Sequence, residues 1–352
     1  HRDLHSFPTR RSSDLSFDTS TYSLLEKYPI ALTTDAYCVR YYYDSATQSS
    51  YIARSTNSTR LLTIYKESYS PFIFRDVNLF LNGDLTLSSP LSFTGNCSID
   101  AQNHIITFTS NGSLNLSPQS NLTISLANLK FTTPSSFSLQ GGASNLSLQN
   151  STIEMNTDMY LSAGSFNIYN DVTITGPHTF EYASDYTSTV NSNSSLNLTN
   201  GAILSIGKND RTNVEQLAFA ENSSSLNLNN ATINLTGYGM DFKRGTMNIV
   251  GNAAIDIDTS IDIKNTFSMG DGINSGNDPS IIIQGNGSSL SWDGGLFALD
   301  PAISTTMIQF YGQSQLSLES TCSVNLKKPQ YWFRSEECRV GKECRSRWSQ
   351  YN

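Results

Sequence analysis

The sequence predicts an all-β chain folded as a single-stranded parallel β-helix, a solenoid, and three observations carry that prediction. Apolar and polar residues alternate with the period of a strand, Asn, Gly and Ser interrupt the alternation at short intervals, and one alternating unit recurs along the chain. In SSSLNLNNATINL, 223–235, Leu226 and Leu228 share one face of a strand and Asn227 takes the other. The odd step from Leu228 to Ile233 would flip the face under strict alternation. Asn229 and Asn230 must therefore form a bend, where Asn tolerates left-handed φ.

The same unit supplies Leu146, Leu148, Ile153 and Met155 in SNLSLQNSTIEM, and Leu196, Leu198 and Ile203 in NSSLNLTNGAILS, with Ser205 in the last slot. GSSLSWDGGLFAL supplies Leu290, Trp292, Phe297 and Leu299, and GTMNIVGNAAID supplies Met247, Ile249 and Ala254. A spacing of roughly 20 to 30 residues falls in the solenoid range. A two-strand unit of this length cannot bury a face alone. Stacked copies put Leu over Leu, close backbone hydrogen bonds between coils and leave Asn side chains to form ladders. Each buried Leu or Ile contributes roughly 1.5 to 3 kcal/mol relative to exposure, which offsets ordering entropy without a globular core. Short alternating strands also build an antiparallel β-sandwich or β-prism, the alternative reading, but hairpin Asn-Gly turns are sparse.

Residues 1–15, HRDLHSFPTRRSSDL, and 334–352, RSEECRVGKECRSRWSQYN, are basic and stand outside the pattern. Both resemble translated sequencing-adapter read-through, which implies non-native tails to be set aside. The alternative is that Arg10, Arg11, Arg345 and Arg347 belong to basic tails that engage an acidic partner. Residues 16–70 lack the repeat and are expected to form an N-terminal cap or an incomplete preceding region. Within them TYSLLEKYP, 21–29, reads as a short helix ended by Pro29, and Tyr41, Tyr42 and Tyr43 lie in a Tyr-rich stretch. The β-helix repeats span 71–333, alternating from Val77, Leu79, Leu81, Leu85 and Leu87 to about Leu326.

Of 352 residues, 54 are Ser and 33 Asn, while only 15% are charged. No apolar run approaches the roughly 18 residues of a membrane helix. Without the two tails, 14 Lys and Arg stand against 25 Asp and Glu, a formal net charge of −11 over 16–333. Phosphate backbones would be repelled, so nucleic acid is not an expected partner. Cys38, Cys97 and Cys322 are too far apart in sequence for a zinc spacing or a disulfide framework.

Catalytic motifs are scarce. His104 and His178 are isolated in sequence, and neither a G-x-S-x-G elbow nor a Walker A loop occurs; GDGINSG, 270–276, has Ser275 where a dinucleotide fingerprint needs its third Gly. Glycoside hydrolysis needs two carboxylates within about 5 to 9.5 Å. In AIDIDTSIDI, Asp256 and Asp258 share an outward strand face and Asp262 follows, which makes these three the catalytic candidates. Outward Asp between inward Ile is also what any solvated strand shows. The hard oxygens of Asp271, Asn274, Asn277 and Asp278 in GDGINSGNDP are the calcium candidates, although the loop matches neither an EF-hand nor a nonapeptide repeat. No other cofactor is expected. The N-x-S/T triplets, as at Asn121 and Asn145, follow from composition.

Phe93, Thr94, Gly95 and Asn96 match an FxxN tetrapeptide, and Gly141, Gly142, Ala143 and Ser144 match all but the last residue of GGAI. With these the chain resembles the chlamydial polymorphic outer-membrane proteins, and over 71–333 its pattern is similar to the β-helical stalks of bacterial autotransporter adhesins. The resemblance implies an extracellular or cell-surface stalk or adhesive passenger that is non-enzymatic and binds glycans or host proteins. A polysaccharide lyase or glycoside hydrolase on a pectin-lyase-like β-helix is the second reading, but the Gly-His-Gly and Arg-x-Lys motifs of polygalacturonases are missing.

Overall fold

A computed structural model of the chain describes side chains over 73–88, 90–133, 137–140, 143–207, 216–236, 239–258, 266–270, 279–285, 287–294, 308–310 and 315–317, and strand paths alone at several further segments. It is an all-β parallel solenoid. Each coil contributes three short strands, and most strands pair in parallel with their counterparts one coil later. The first strands run from Ile73–Arg75 through Pro90–Thr94 and Ser113–Leu116 to Phe137–Leu139, and again from Met159–Leu161 through Thr179–Tyr182, Ile203–Ile206, Thr232–Leu235 and Asn252–Ile257 to Ser289–Asp293. The second strands begin with Asn78–Leu81, Asn96–Asp100 and Asn121–Ser125. The third begin with Leu85–Leu87, Ile105–Phe108 and Asn128–Phe131. Asn145–Met155 and Ser165–Thr175 each serve as second and third strand in one run, bent in the middle.

Alternation decides what goes inside. Leu79, Ile99, Ile124, Leu148 and Ile168 stack in one column, and Ile153, Ile174, Leu198, Leu228 and Ile249 in another, with every member buried. Rings stack as well: Phe108 and Phe131 lie parallel with centroids 4.3 Å apart, and Trp292 meets Phe267 edge-on at 4.8 Å.

The bends are what Asn was expected to supply. Asn150, Asn170, Asn200 and Asn230 all have positive φ, between 47° and 57°. A second corner device puts a side-chain oxygen under the next coil: Asp76 Oδ1 accepts from Asn96 N–H at 2.8 Å and Asn230 Oδ1 from Asn252 N–H at 3.0 Å. The residues above, Gly95 at φ 74° and Gly251 at φ 71°, have no room for a Cβ against those oxygens. The FxxN match is thus structural in this chain: Phe93 is buried, Gly95 turns the corner, and Asn96 heads a ladder of amides.

Serine does more than cover the surface. Ser120, Ser144, Ser151, Ser188, Ser194 and Ser224 are buried at corners. Their hydroxyls satisfy backbone groups of the adjoining coil, as where Phe166 N–H donates to Ser188 Oγ at 2.7 Å and Ser144 Oγ donates to Ser117 O at 3.0 Å.

Several expectations are corrected. Residues 23–28 form a strand paired antiparallel with Leu61–Glu67, not a helix: a nine-residue helix is marginal alone, and a strand partner is at hand. Ile30–Leu32 pairs antiparallel with Leu79–Leu81 on the first coil. The coil has three strands, so the two-strand unit read from sequence drifts in phase. Leu146 sits in a second strand, Leu196 and Leu226 in third strands, and Leu290 in a first strand. Two copies also shift by one residue. Ala202, Leu204 and Ile206 point inward instead of Ile203, and Ala253, Ile255 and Ile257 instead of Ala254, because these corners take an even step, which keeps the strand parity. Phe297 and Leu299 lie outside the residues whose side chains are described.

Candidate functional surface

The described interior is mostly packed hydrocarbon, and a gap lined by Phe166, Phe180, Tyr182, Leu196, Leu204 and Leu217 among others lies within it. The described polar side chains that could meet a partner lie on the outward columns. Because strands stack in register, like side chains repeat at about 4.8 Å from coil to coil and at about 6.6 Å along a strand.

Two amide ladders result. Asn121 Nδ2 donates to Asn96 Oδ1 at 2.7 Å and Asn145 Nδ2 to Asn121 Oδ1 at 2.9 Å. On the third strands Asn227 Nδ2 donates to Asn197 Oδ1 at 2.6 Å and Asn248 Nδ2 to Asn227 Oδ1 at 2.7 Å. Beside this second ladder runs the column Thr175, Thr199, Asn229 and Val250, and on its other side Ser195, Ser225, Thr246 and Ser280. The result is an array of amides and hydroxyls, with the Asp171 carboxylate below Ser195 and an exposed Val250 at one edge.

The carboxylates are arranged differently from the sequence reading. Asp256 is outward on its strand, but the residue stacked directly on it is Asp293 of the next coil, 37 positions on, with Asn234 below. Partial burial, and after it the charge of Asp293, raises the Asp256 carboxyl above its ordinary value. Asp258 lies just past the strand end and donates its N–H to Leu235 O at 2.9 Å. Asp262 and the calcium candidates Asp271, Asn274, Asn277 and Asp278 lie outside the described residues. Asp293 was missed because its partnership depends on the length of the coil between, which nothing in the local pattern reveals.

The two histidines, isolated in sequence, sit at different corners with the same bonding, His104 before a third strand and His178 before a first strand. His104 Nδ1 lies 3.5 Å from Asp84 Oδ1, which also accepts from Ile105 N–H at 2.9 Å; His178 Nδ1 lies 3.6 Å from Asp158 Oδ1, which accepts from Thr179 N–H at 2.8 Å. Both are corner fastenings between coils. Lys130 pairs with Glu154 at 2.8 Å, and that hydrogen bond holds the Glu154 carboxyl below its ordinary value. Cys97 is buried, which raises its thiol, and lies 3.4 Å from Thr94 O.

Among the described residues no three His, Cys, Asp or Glu side chains converge as a metal site, and no helix is long and apolar enough to cross a membrane. No protein-family model matches the chain, and comparison with curated proteins and with solved structures finds no significant match.

Proposed function

We propose that this chain is a non-enzymatic, extracellular or cell-surface β-solenoid, a rigid stalk or adhesive passenger that binds glycans or host proteins through its outward columns. One observation carries the reading: the chemistry-bearing side chains form long flat repeats on the outside of a filled column, a form suited to contacting an extended partner and not to enclosing a small substrate. The low charge and abundant Ser, Thr and Asn favour hydrogen-bonded contact over charge pairing.

A specific observation favours the hydrolase as second reading. Asp256 and Asp293 are carboxylates on adjacent coils, and one has a raised pKa, as an acid and base pair requires. One experiment separates the two readings. The chain is incubated with acidic and neutral polysaccharides, and both retention and product release are measured. Retention without turnover is the expected result. Turnover abolished by Asp256→Asn or Asp293→Asn would transfer the assignment to the hydrolase.

A further inference from the structure

We propose that the outward surface of the third strands, from Ser195–Thr199 through Ser225–Asn229 to Thr246–Val250, docks an uncharged, unbranched polysaccharide lying along the solenoid axis. The inference rests on the glycan-binding reading above and names its surface and its ligand class.

Charge points to the ligand. These three strands contain no Asp, Glu, Lys or Arg; the same columns carry Asp171 one coil earlier, where it accepts from Ser195 Oγ, and Lys130 and Glu154 two to three coils earlier, and the first strands carry Glu181, Asp256 and Asp293. The chain as a whole is at −8. Lys243 and Arg244 lie at the corner before Thr246, but the strand faces themselves offer an anionic polymer no cation to pair with, while a neutral one needs none.

Hydrogen bonding points the same way. An Asn side chain offers two donor protons and two acceptor lone pairs. In the ladder Asn227 uses one proton toward Asn197 and one lone pair toward Asn248, which fixes the plane of the amide and leaves its second proton and lone pair for the outside. The group is therefore held in orientation before any ligand arrives, so little ordering entropy is lost on binding. Thr199 and Asn229 repeat the donor and acceptor pattern one column over, and Val250 adds an exposed apolar patch suited to the C–H face of a sugar ring. A surface that repeats its groups from coil to coil matches a ligand that repeats its own, which favours a polymer over a single sugar.

The test is affinity electrophoresis of the whole chain through gels containing neutral glucan, mannan or galactan, or anionic pectate. Thr199→Glu and Asn229→Glu charge the proposed surface, while Thr123→Glu charges an equivalent outward position on a second strand; circular dichroism checks that each variant is folded. The expected result is retardation of the parent by a neutral polymer, weakened about tenfold or more by Thr199→Glu and Asn229→Glu and unchanged by Thr123→Glu. Retardation that all three variants leave equal, or that pectate alone produces, overturns this assignment while glycan binding stands. No retardation by any polymer overturns the glycan-binding reading itself, and this inference with it.

Discussion

Two outward columns of the same solenoid show opposite results of stacking. Asn197, Asn227 and Asn248 sit one above another and join through amide hydrogen bonds of 2.6 and 2.7 Å. Asn234, Asp256 and Asp293 are stacked by the same kind of register, yet the column ends in two like charges. A parallel solenoid copies each position onto itself, so it multiplies whatever that side chain does to a neighbour of its own kind. Amides are self-complementary, and carboxylates are not.

The largest effect comes from moving a charge from an outer column to the inner one. Leu226→Asp buries a carboxylate between Leu196 and Met247 and is expected to destabilise its coil by roughly 4 kcal/mol or more, read from hydrogen exchange over 195–250. Protection left at the parent level would break the inside and outside assignment. Asn227→Asp tests the ladder next. Sequence alone suggests a change within about 1 kcal/mol, but loss of the proton donated to Asn197 raises the expectation to roughly 1 to 2 kcal/mol. Chemical denaturation of the two variants side by side should keep that order.

Asp256→Asn runs the comparison in reverse, replacing a repelled carboxylate with an amide beside Asn234. At pH 7 it is expected to stabilise by a few tenths of a kcal/mol, kept small by solvent screening at an exposed site. The pH dependence follows from the same residue. A folded-state pKa raised above the unfolded value means that the folded chain binds the proton more tightly. Its contribution is full below the unfolded Asp value and is lost as pH rises through the raised one. Melting across that range should show the effect in the parent and a smaller one in Asp293→Asn; identical profiles would remove Asp293 as a cause.

Much of the fold was legible in the sequence. Leu146, Leu148, Ile153, Met155, Leu226, Leu228, Ile233, Leu235 and Trp292 are inward as their alternation indicates, and Asn230 bends as its chemistry indicates. What was not legible depends on the third dimension. Ile203 and Ala254 were misassigned because one residue at a corner exchanges the faces. Ser120, Ser151 and Ser188 look like solvent-facing residues until the neighbouring coil supplies the backbone groups they satisfy. Of the candidate site, Asp256 was visible and Asp293 was not. Strand periodicity reports which side a residue takes, while its partner is set by how much chain the intervening corners contain.

That separation between strand register and corner length makes the protein countable in whole coils. Leu196 and Leu226 are stacked equivalents, in a register whose partners lie 30 residues apart. Excising 196–225 would join Ser195 directly to Leu226 and set Leu226 upon Val172, with every remaining side chain still on its own side. Removing one residue from within Ser225–Asn229 would turn the rest of that strand inside out. A shortened rod that keeps its circular-dichroism spectrum and solubility, beside a single-residue deletion that loses both, would show that length here is a free variable and phase is not.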